Sequence, residues 1–282
     1  MRVVTTIKEM REIIREKKAE QVSIGFVPTM GYLHDGHIAL IRRARAENDI
    51  VVVSIFVNPL QFGPDEDFDI YPRDLERDKK ISAREKVDFI FHPSAEEMYP
   101  GTLSVKVIVQ DRTDVLCGKS RPGHFDGVAT VLTKLFHIVQ PDRVYMGMKD
   151  AQQVAVVEGL ISDFNFPIEL IPVDTVREED GLAKSSRNVH LTPEEREQAP
   201  HLYKSLLEAK KLILEGERDE VKIVSHMRDY ITEKTDADID YIEIYSFPQL
   251  KKLDRLEGRM IIALAVKFSK VRLIDNIVLT VP

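Results

Sequence analysis

The chain has 282 residues, 43% hydrophobic and 31% charged, with a formal net charge of −7. That is enough apolar material for one large domain and a smaller one, and the acidic balance argues against a general nucleic-acid or anionic-membrane surface. The single cysteine, Cys117, excludes an intramolecular disulfide and a cysteine-rich zinc site. The opening stretch Met1–Glu20 is charged throughout and lacks the apolar core of a secretory signal. No apolar run approaches the ~20 residues that span a bilayer. A soluble cytoplasmic protein is expected.

Along the chain, strand candidates alternate with amphipathic helices. Thr6–Lys18 is predicted helical because Ile7, Met10, Ile13 and Ile14 share one face. A strand at Val22–Val27 ends at Pro28, and a helix follows from Gly36 to Ala46 with Ile38, Leu40 and Ile41 as apolar positions. Ile50–Val57 is a continuous β-branched run of the kind buried on both faces of a parallel sheet. Helix Asp74–Glu85, strand Val87–Phe91, helix Gly127–Val139, strand Arg143–Met146, helix Asp150–Asp163 and strand Ile168–Val173 continue the rhythm. Val105–Val109 reads as an additional strand outside it. This repetition predicts an α/β fold: a Rossmann-like, mostly parallel sheet domain with right-handed crossovers.

Past Val176 the pattern changes. Thr192-Pro193-Glu194-Glu195 is a helix start, with Thr as N-cap, Pro at the first position and acids in the first turn. Helices Pro193–Glu215 and Asp219–Lys234 precede strands Tyr241–Tyr245, Met260–Val266 and Val271–Val278. Two helices followed by three strands predict a smaller C-terminal α+β domain. The boundary falls between Val176 and Ser186, dividing the Rossmann-like domain 1–180 from the C-terminal domain 181–282.

Three clusters carry chemistry. The first is Pro28-Thr29-Met30-Gly31-Tyr32-Leu33-His34-Asp35-Gly36-His37, where a strand turns into a helix opened by two histidines. Histidines at i and i+3 share a helix face, so both imidazoles can reach one phosphate at the positive end of the helix dipole. Read bare, H-x-G-H is equally a glycine-containing turn with two incidental histidines; its place after a strand of an α/β domain favours the anion site. The second is Gly147-Met148-Lys149-Asp150, after strand Arg143–Met146, the end at which open parallel sheets bind ligands. Lys149 can offer a phosphate-directed cation and Asp150 can accept from ribose hydroxyls; taken alone, Asp150 is as well read as a helix N-cap. The third, Lys184-Ser185-Ser186-Arg187-Asn188, carries hydroxyls and cations suited to a polyphosphate clasp, or to a solvated hinge.

In order, these clusters resemble the H-x-G-H nucleotidyltransferase superfamily. The finer match includes Phe56-Val57-Asn58-Pro59-Leu60-Gln61-Phe62, Tyr71-Pro72-Arg73, Arg121-Pro122-Gly123-His124-Phe125-Asp126-Gly127 and the run from Gly147 through Gln152 and Gln153. The stretch from Phe26 to Asn188 resembles the pantoate–β-alanine ligase family.

That resemblance implies two half-reactions: pantoate attacks the α-phosphorus of Mg-ATP, and β-alanine then attacks the pantoyl adenylate, releasing AMP. It implies His34, His37 and Lys149 as catalytic groups, with His37 the candidate proton donor. ATP would contact Met30, Gly31, Tyr32, Leu33, His34, Asp35, Gly36, His37, Gly147, Met148, Lys149, Asp150 and Val176. Lys184, Ser185, Ser186 and Arg187 would complete the ATP contacts from the third cluster. Gln61 and Gln153 would bind pantoate, or pantoate and β-alanine together. No protein metal site, tightly bound organic cofactor, nucleic acid or membrane partner is expected, and a homodimer is. The match departs at Lys184, where methionine is common in the family; Arg121 and His124 are open between carboxylate binding and loop structure. Rival readings are another nucleotidyltransferase of the superfamily and a non-catalytic nucleotide sensor.

Overall fold

The computed structural model describes residues 1–64, 66 and 68–282. In chain order the elements are β1 Arg2–Val4, α1 Ile7–Ala19, β2 Ile24–Thr29, α2 Asp35–Glu47, β3 Ile50–Ile55, α3 Leu75–Arg84, β4 Phe89–Phe91 and α4 Ala95–Met98. Then come α5 Leu116–Ser120, α6 His124–Val139, β5 Arg143–Gly147, α7 Ala151–Asp163 and β6 Glu169–Val173. The last group is α8 Pro193–Gln198, α9 Pro200–Leu214, α10 Glu220–Lys234, β7 Asp238–Ser246, β8 Gly258–Lys267 and β9 Arg272–Val281.

The chain divides into two compact units. One holds Met1–Gln110, Arg121–Met148 and Val156–Asp174; the other holds Asp111–Ser120, Lys149–Ala155 and Thr175–Pro282. The first unit carries a six-stranded sheet of order β1-β4-β3-β2-β5-β6, parallel throughout. Strand order turns back between β2 and β5, and such a switch point opens a crevice beyond the carboxyl ends of the strands. The loops leaving β2 and β5 therefore start at the place where this fold takes ligands. Val51, Val52 and Val53 of β3 are fully buried, as a strand covered on both faces requires. Val27, Leu40, Ile41, Val51, Val53 and Tyr145 pack into one core, and Leu33 of the turn after β2 belongs to it. The second unit has a three-stranded antiparallel sheet, β7-β8-β9, whose core includes Leu206, Ile213, Ile223, Met227, Ile231, Ile262 and Leu264.

Two expectations need correction. Val105–Val109 is not a strand. The Val107 and Val109 N–H groups donate to Thr130 Oγ1 (3.0 Å) and Asp126 Oδ1 (2.9 Å) of α6 instead of to a neighbouring strand. The helix expected over Pro193–Glu215 is two, α8 and α9. Pro200 lacks an N–H and crowds the preceding turn, so it opens a new helix at its first position. Finally, β1 was not anticipated: three residues are too few for a period to register, and their strand character comes from pairing with Phe89–Phe91.

Candidate active site

The turn after β2 is built from the inside outward. Thr29 Oγ1 donates to the Ser54 carbonyl (2.7 Å) and accepts the Gly31 N–H (3.1 Å). Gly31 and Tyr32 then adopt consecutive left-handed conformations, φ 85° and 52°. Glycine is required at the first, because an added Cβ would lie 2.9 Å from Ile55 Cγ2 and 3.0 Å from Asp78 Oδ2. Asp78, on α3, holds the turn in place. Its two carboxylate oxygens accept the N–H groups of Tyr32 (2.8 Å) and Leu33 (2.7 Å). Asp78 is 1% exposed, and burial raises its pKa above the ordinary carboxylate value despite those two bonds.

Because Asp78 takes both N–H groups, Tyr32 and Leu33 have none left for an anion. The helix start that follows is capped by side chains. His34 is the N-cap of α2: its Nδ1 accepts the Gly36 N–H (3.1 Å), while His37 Nδ1 accepts the His34 N–H (3.3 Å). A ring nitrogen that accepts a hydrogen bond carries no proton, so this network assigns the proton of each neutral imidazole to Nε2. The two rings lie 4.1 Å apart, tilted by 43°. Reciprocal capping thus fixes two side chains in the tautomer that presents Nε2–H as a donor.

Gln61 closes the 3-10 turn Pro59–Gln61 after β3. Asn58 orients it: the Asn58 amide donates to Gln61 Oε1 (3.1 Å) and to the Gly127 carbonyl (3.1 Å). Asn58 Oδ1 accepts from the Tyr99 hydroxyl (2.8 Å), which burial keeps protonated by raising its pKa. With its oxygen held, Gln61 directs its NH2 toward Met30 Sδ (3.2 Å), so it offers donors to an acid or hydroxyl. Gly127 permits this seating, since a Cβ there would lie 2.2 Å from the Leu60 carbonyl oxygen. Arg121 and His124 brace the same turn. His124 Nδ1 lies 2.7 Å from the Gln61 carbonyl oxygen, and Nε2 lies 3.0 Å from Arg121 Nη1. Arg121 is paired with Glu66 at 2.5 and 2.7 Å. Both side chains therefore hold loop structure in this conformation.

In the first unit, Gly147 and Met148 leave β5, the neighbour of β2 in the sheet. In the second unit, Lys149 and Asp150 complete a 3-10 turn, Asp150 being exposed. Two adjacent glutamines then differ on α7. Gln152 is buried and holds the segment before α5, donating to the Arg112 and Val115 carbonyls (2.9 Å each) and accepting the Gly118 N–H (3.3 Å). Gln153 is only half-buried.

The third cluster begins from Val176, whose carbonyl accepts the Lys184 N–H (2.9 Å). Lys184 Nζ faces Glu178 at 3.7 Å. Ser185 Oγ accepts the Arg187 N–H (3.2 Å) and caps the 3-10 turn Ser186–His190. Ser186 is buried; Ser185 and Arg187 are half-buried.

Sequence reading missed Asn58 and Asp78 as working residues. A signal existed for Asp78: it lies three residues after Leu75 and four before Ser82, so it occupies the inward face of α3. A charged residue there needs a partner.

Comparison with known proteins agrees over the whole chain. The family model described as pantoate-beta-alanine ligase matches residues 2–278. A pantothenate synthetase of Geobacillus sp. (strain WCH70) is 63% identical over 281 residues, covering 100% of both chains. One from Bacillus cereus (strain ATCC 10987 / NRS 248) is 60% identical, again over 100% of both. The crystal structure of pantothenate synthetase from Thermus thermophilus superposes with a TM-score of 0.93 at 45% identity, covering 98% of this chain and 99% of that one. A pantoate-beta-alanine ligase from Francisella tularensis, complexed with beta-gamma ATP and beta-alanine, gives 0.83 at 38% identity, covering 98% and 97%.

Proposed function

The chain belongs to the pantoate-beta-alanine ligase family, and from that premise we propose that it condenses pantoate with β-alanine at the expense of ATP. The observation that carries the residue assignment is the reciprocal capping of His34 and His37, which presents two Nε2–H donors at the helix start after β2.

In the first half-reaction a pantoate carboxylate oxygen attacks the α-phosphorus of ATP. The new P–O bond forms as the bond to pyrophosphate breaks, and pyrophosphate leaves with the electron pair. Negative charge grows on the phosphate oxygens. His34 and His37 donate to them through Nε2, and Lys149 adds a full positive charge; fixed donors need not reorganise as that charge develops. His37, with its proton on Nε2, is the candidate proton donor. In the second half-reaction the β-alanine amine attacks the activated carbonyl. The carbon–oxygen bond to AMP breaks, AMP takes the electron pair, and the amine sheds a proton.

Gln61 and Gln153 read pantoate, since neutral amides can bond its hydroxyls and carboxylate without competing as nucleophiles. Met30 to Gly36, Gly147, Met148, Asp150 and Val176 contact the nucleotide, and Lys184, Ser185, Ser186 and Arg187 its phosphates. At Tyr32 and Leu33 such contacts would use groups other than the N–H donors held by Asp78. ATP enters as its Mg2+ complex. The ion is assigned to the phosphates of the substrate, whose oxygens suit a hard cation. A cytoplasmic homodimer is the expected working form. No helix among the described residues is long and apolar enough to cross a membrane.

Pyrophosphate exchange tests the reading. With Mg-ATP and no β-alanine, labelled pyrophosphate should enter ATP only when pantoate is present; adding β-alanine should turn exchange into net AMP and pantothenate. Exchange indifferent to pantoate would remove the substrate assignment and favour another nucleotidyltransferase. ATP binding without any exchange or turnover would favour a sensor.

A further inference from the structure

Two neighbouring residues of β9, Asp275 and Asn276, are polar yet only 3% and 8% exposed. They sit opposite Leu264 and Ala263 of β8, in the sheet that forms the second unit's core. A carboxylate and an amide buried on a strand are costly unless they are paired, and apolar residues would serve the core better. Their partners explain them.

Asp275 grips Arg177 through both oxygens, at 2.7 and 2.9 Å. The same guanidinium donates to the Gly181 carbonyl (3.1 Å) and lies 3.5 Å from the centroid of the Tyr203 ring. Arg177 follows Val176, whose carbonyl receives the Lys184 N–H, and pairs across a β-bridge with Ala183. One side chain of β9 therefore sets both strands of the hairpin that leads into Ser185, Ser186 and Arg187. Asn276 turns elsewhere: its Nδ2 donates to the main-chain carbonyl of Lys149 at 2.8 Å. Asp275 Oδ1 also accepts the Asn276 N–H (2.8 Å), tying the two together.

We propose that Asp275 and Asn276 are positioning residues. From adjacent places on one strand they hold the hairpin before Ser185–Arg187 and the backbone of Lys149, so that both phosphate-directed groups share a single rigid base. The proposal rests on the phosphate roles given above to Lys149 and Ser185–Arg187. Catalysis by charge stabilisation is sensitive to such support, because a displacement of about 1 Å can cost ~10²-fold in rate; the hydrogen bonds that support metal ligands, a comparable positioning role, matter ~10–100-fold.

The test is a double-mutant cycle in the full-length enzyme with Asn276→Ala, Lys149→Ala and both together. If Asn276 acts through Lys149, Asn276→Ala alone should lower kcat about tenfold or more, with the pantoate KM nearly unchanged. In the Lys149→Ala background the same substitution should cost less than about twofold, because the group it positions is gone. Asn276→Gln, which keeps the amide donor, should recover part of the loss. Losses that multiply in the double mutant would overturn the proposal and leave the role of Lys149 standing. Normal turnover of Lys149→Ala would overturn the phosphate reading of Lys149, and the proposal with it. For the other arm, Asp275→Asn should raise the ATP KM several-fold while the pantoate KM holds. If that variant does not fold, Arg177→Lys, which keeps the charge but loses the fork, should raise the ATP KM in the same way. An unchanged ATP KM in a folded variant of either residue would remove Asp275 from the device.

Discussion

Two segments assigned to phosphate are held in opposite ways. In the turn from Thr29 to His37, the N–H groups of Gly31, Tyr32, Leu33, His34 and Gly36 all have short-range or buried side-chain acceptors. Leu33 is plugged into the core of the parallel sheet. From Glu178 to Arg187, by contrast, much of the bracing is by half-exposed ion pairs: Lys184 with Glu178, and Arg196 with Glu178 and Asp180. Buried bonds to a carboxylate cannot be exchanged for water, whereas half-exposed pairs contribute little and can be remade. The first segment is thus built to present fixed donors. The second leans in part on pairs that solvent screens, with Arg177 and Asp275 as its fixed root.

The largest effect that would break this contrast lies at Asp78. Asp78→Ala strands the buried Leu33 N–H and the part-buried Tyr32 N–H and should cost about 3 kcal/mol of stability, read as a lower denaturant midpoint at unchanged slope. Glu178→Gln in the other segment should cost less than ~1 kcal/mol. Comparable losses would mean that the two segments are equally rigid.

Next is the histidine pair. His37→Ala removes a donor and the acceptor of the His34 N–H, and turnover should fall at least ~10²-fold while the protein stays folded. Purified, folded His37→Ala with near-normal turnover would take this side chain out of the mechanism.

Acid should separate the two segments by pH. Burial raises the Asp78 pKa, so the folded protein takes up this proton before the unfolded chain does. Its contribution to stability is therefore greatest below the unfolded pKa and is lost as pH rises through the folded one. Protonation nevertheless weakens its hold on Tyr32 and Leu33, so activity should fall in acid above the ordinary carboxylate range, before the fold is lost. Asp180 behaves in the opposite sense. Burial pushes its pKa up, but Arg196 and the Leu182 N–H more than offset this and leave it lowered; its contribution is present above the unfolded pKa and lost as pH falls through the depressed value. Activity and melting temperature measured together against pH should show two separate limbs, and coincident limbs would contradict the assignment to Asp78.

The smallest effect is at Lys184. Its N–H is held by Val176 and its ammonium faces Glu178, so Lys184→Met should change the ATP KM less than about tenfold, or ~1.4 kcal/mol. Arg187→Ala should do more, because no backbone group replaces a guanidinium on phosphate. The reverse order would make Lys184 the principal cation of the segment.

Much of this was legible from local sequence. The periodicity of α1, the buried β-branched run of β3 and the Thr192–Glu195 capping box each depend on residues within a few positions of one another. So does the His34–His37 pair, whose spacing on a helix start already placed both rings on one face. Tertiary structure decided what those groups lean on. Asp78 reaches the turn across 45 positions and Asn276 reaches Lys149 across 127, and neither spacing leaves a periodic trace. Val105–Val109 carries the composition of a strand, yet the side chains of α6 took its N–H groups first. A helix or capping motif closes its hydrogen bonds within one turn and can be read from its own residues. A buried polar side chain can be satisfied by any group that the closed chain brings within about 3 Å, and only the folded structure selects which.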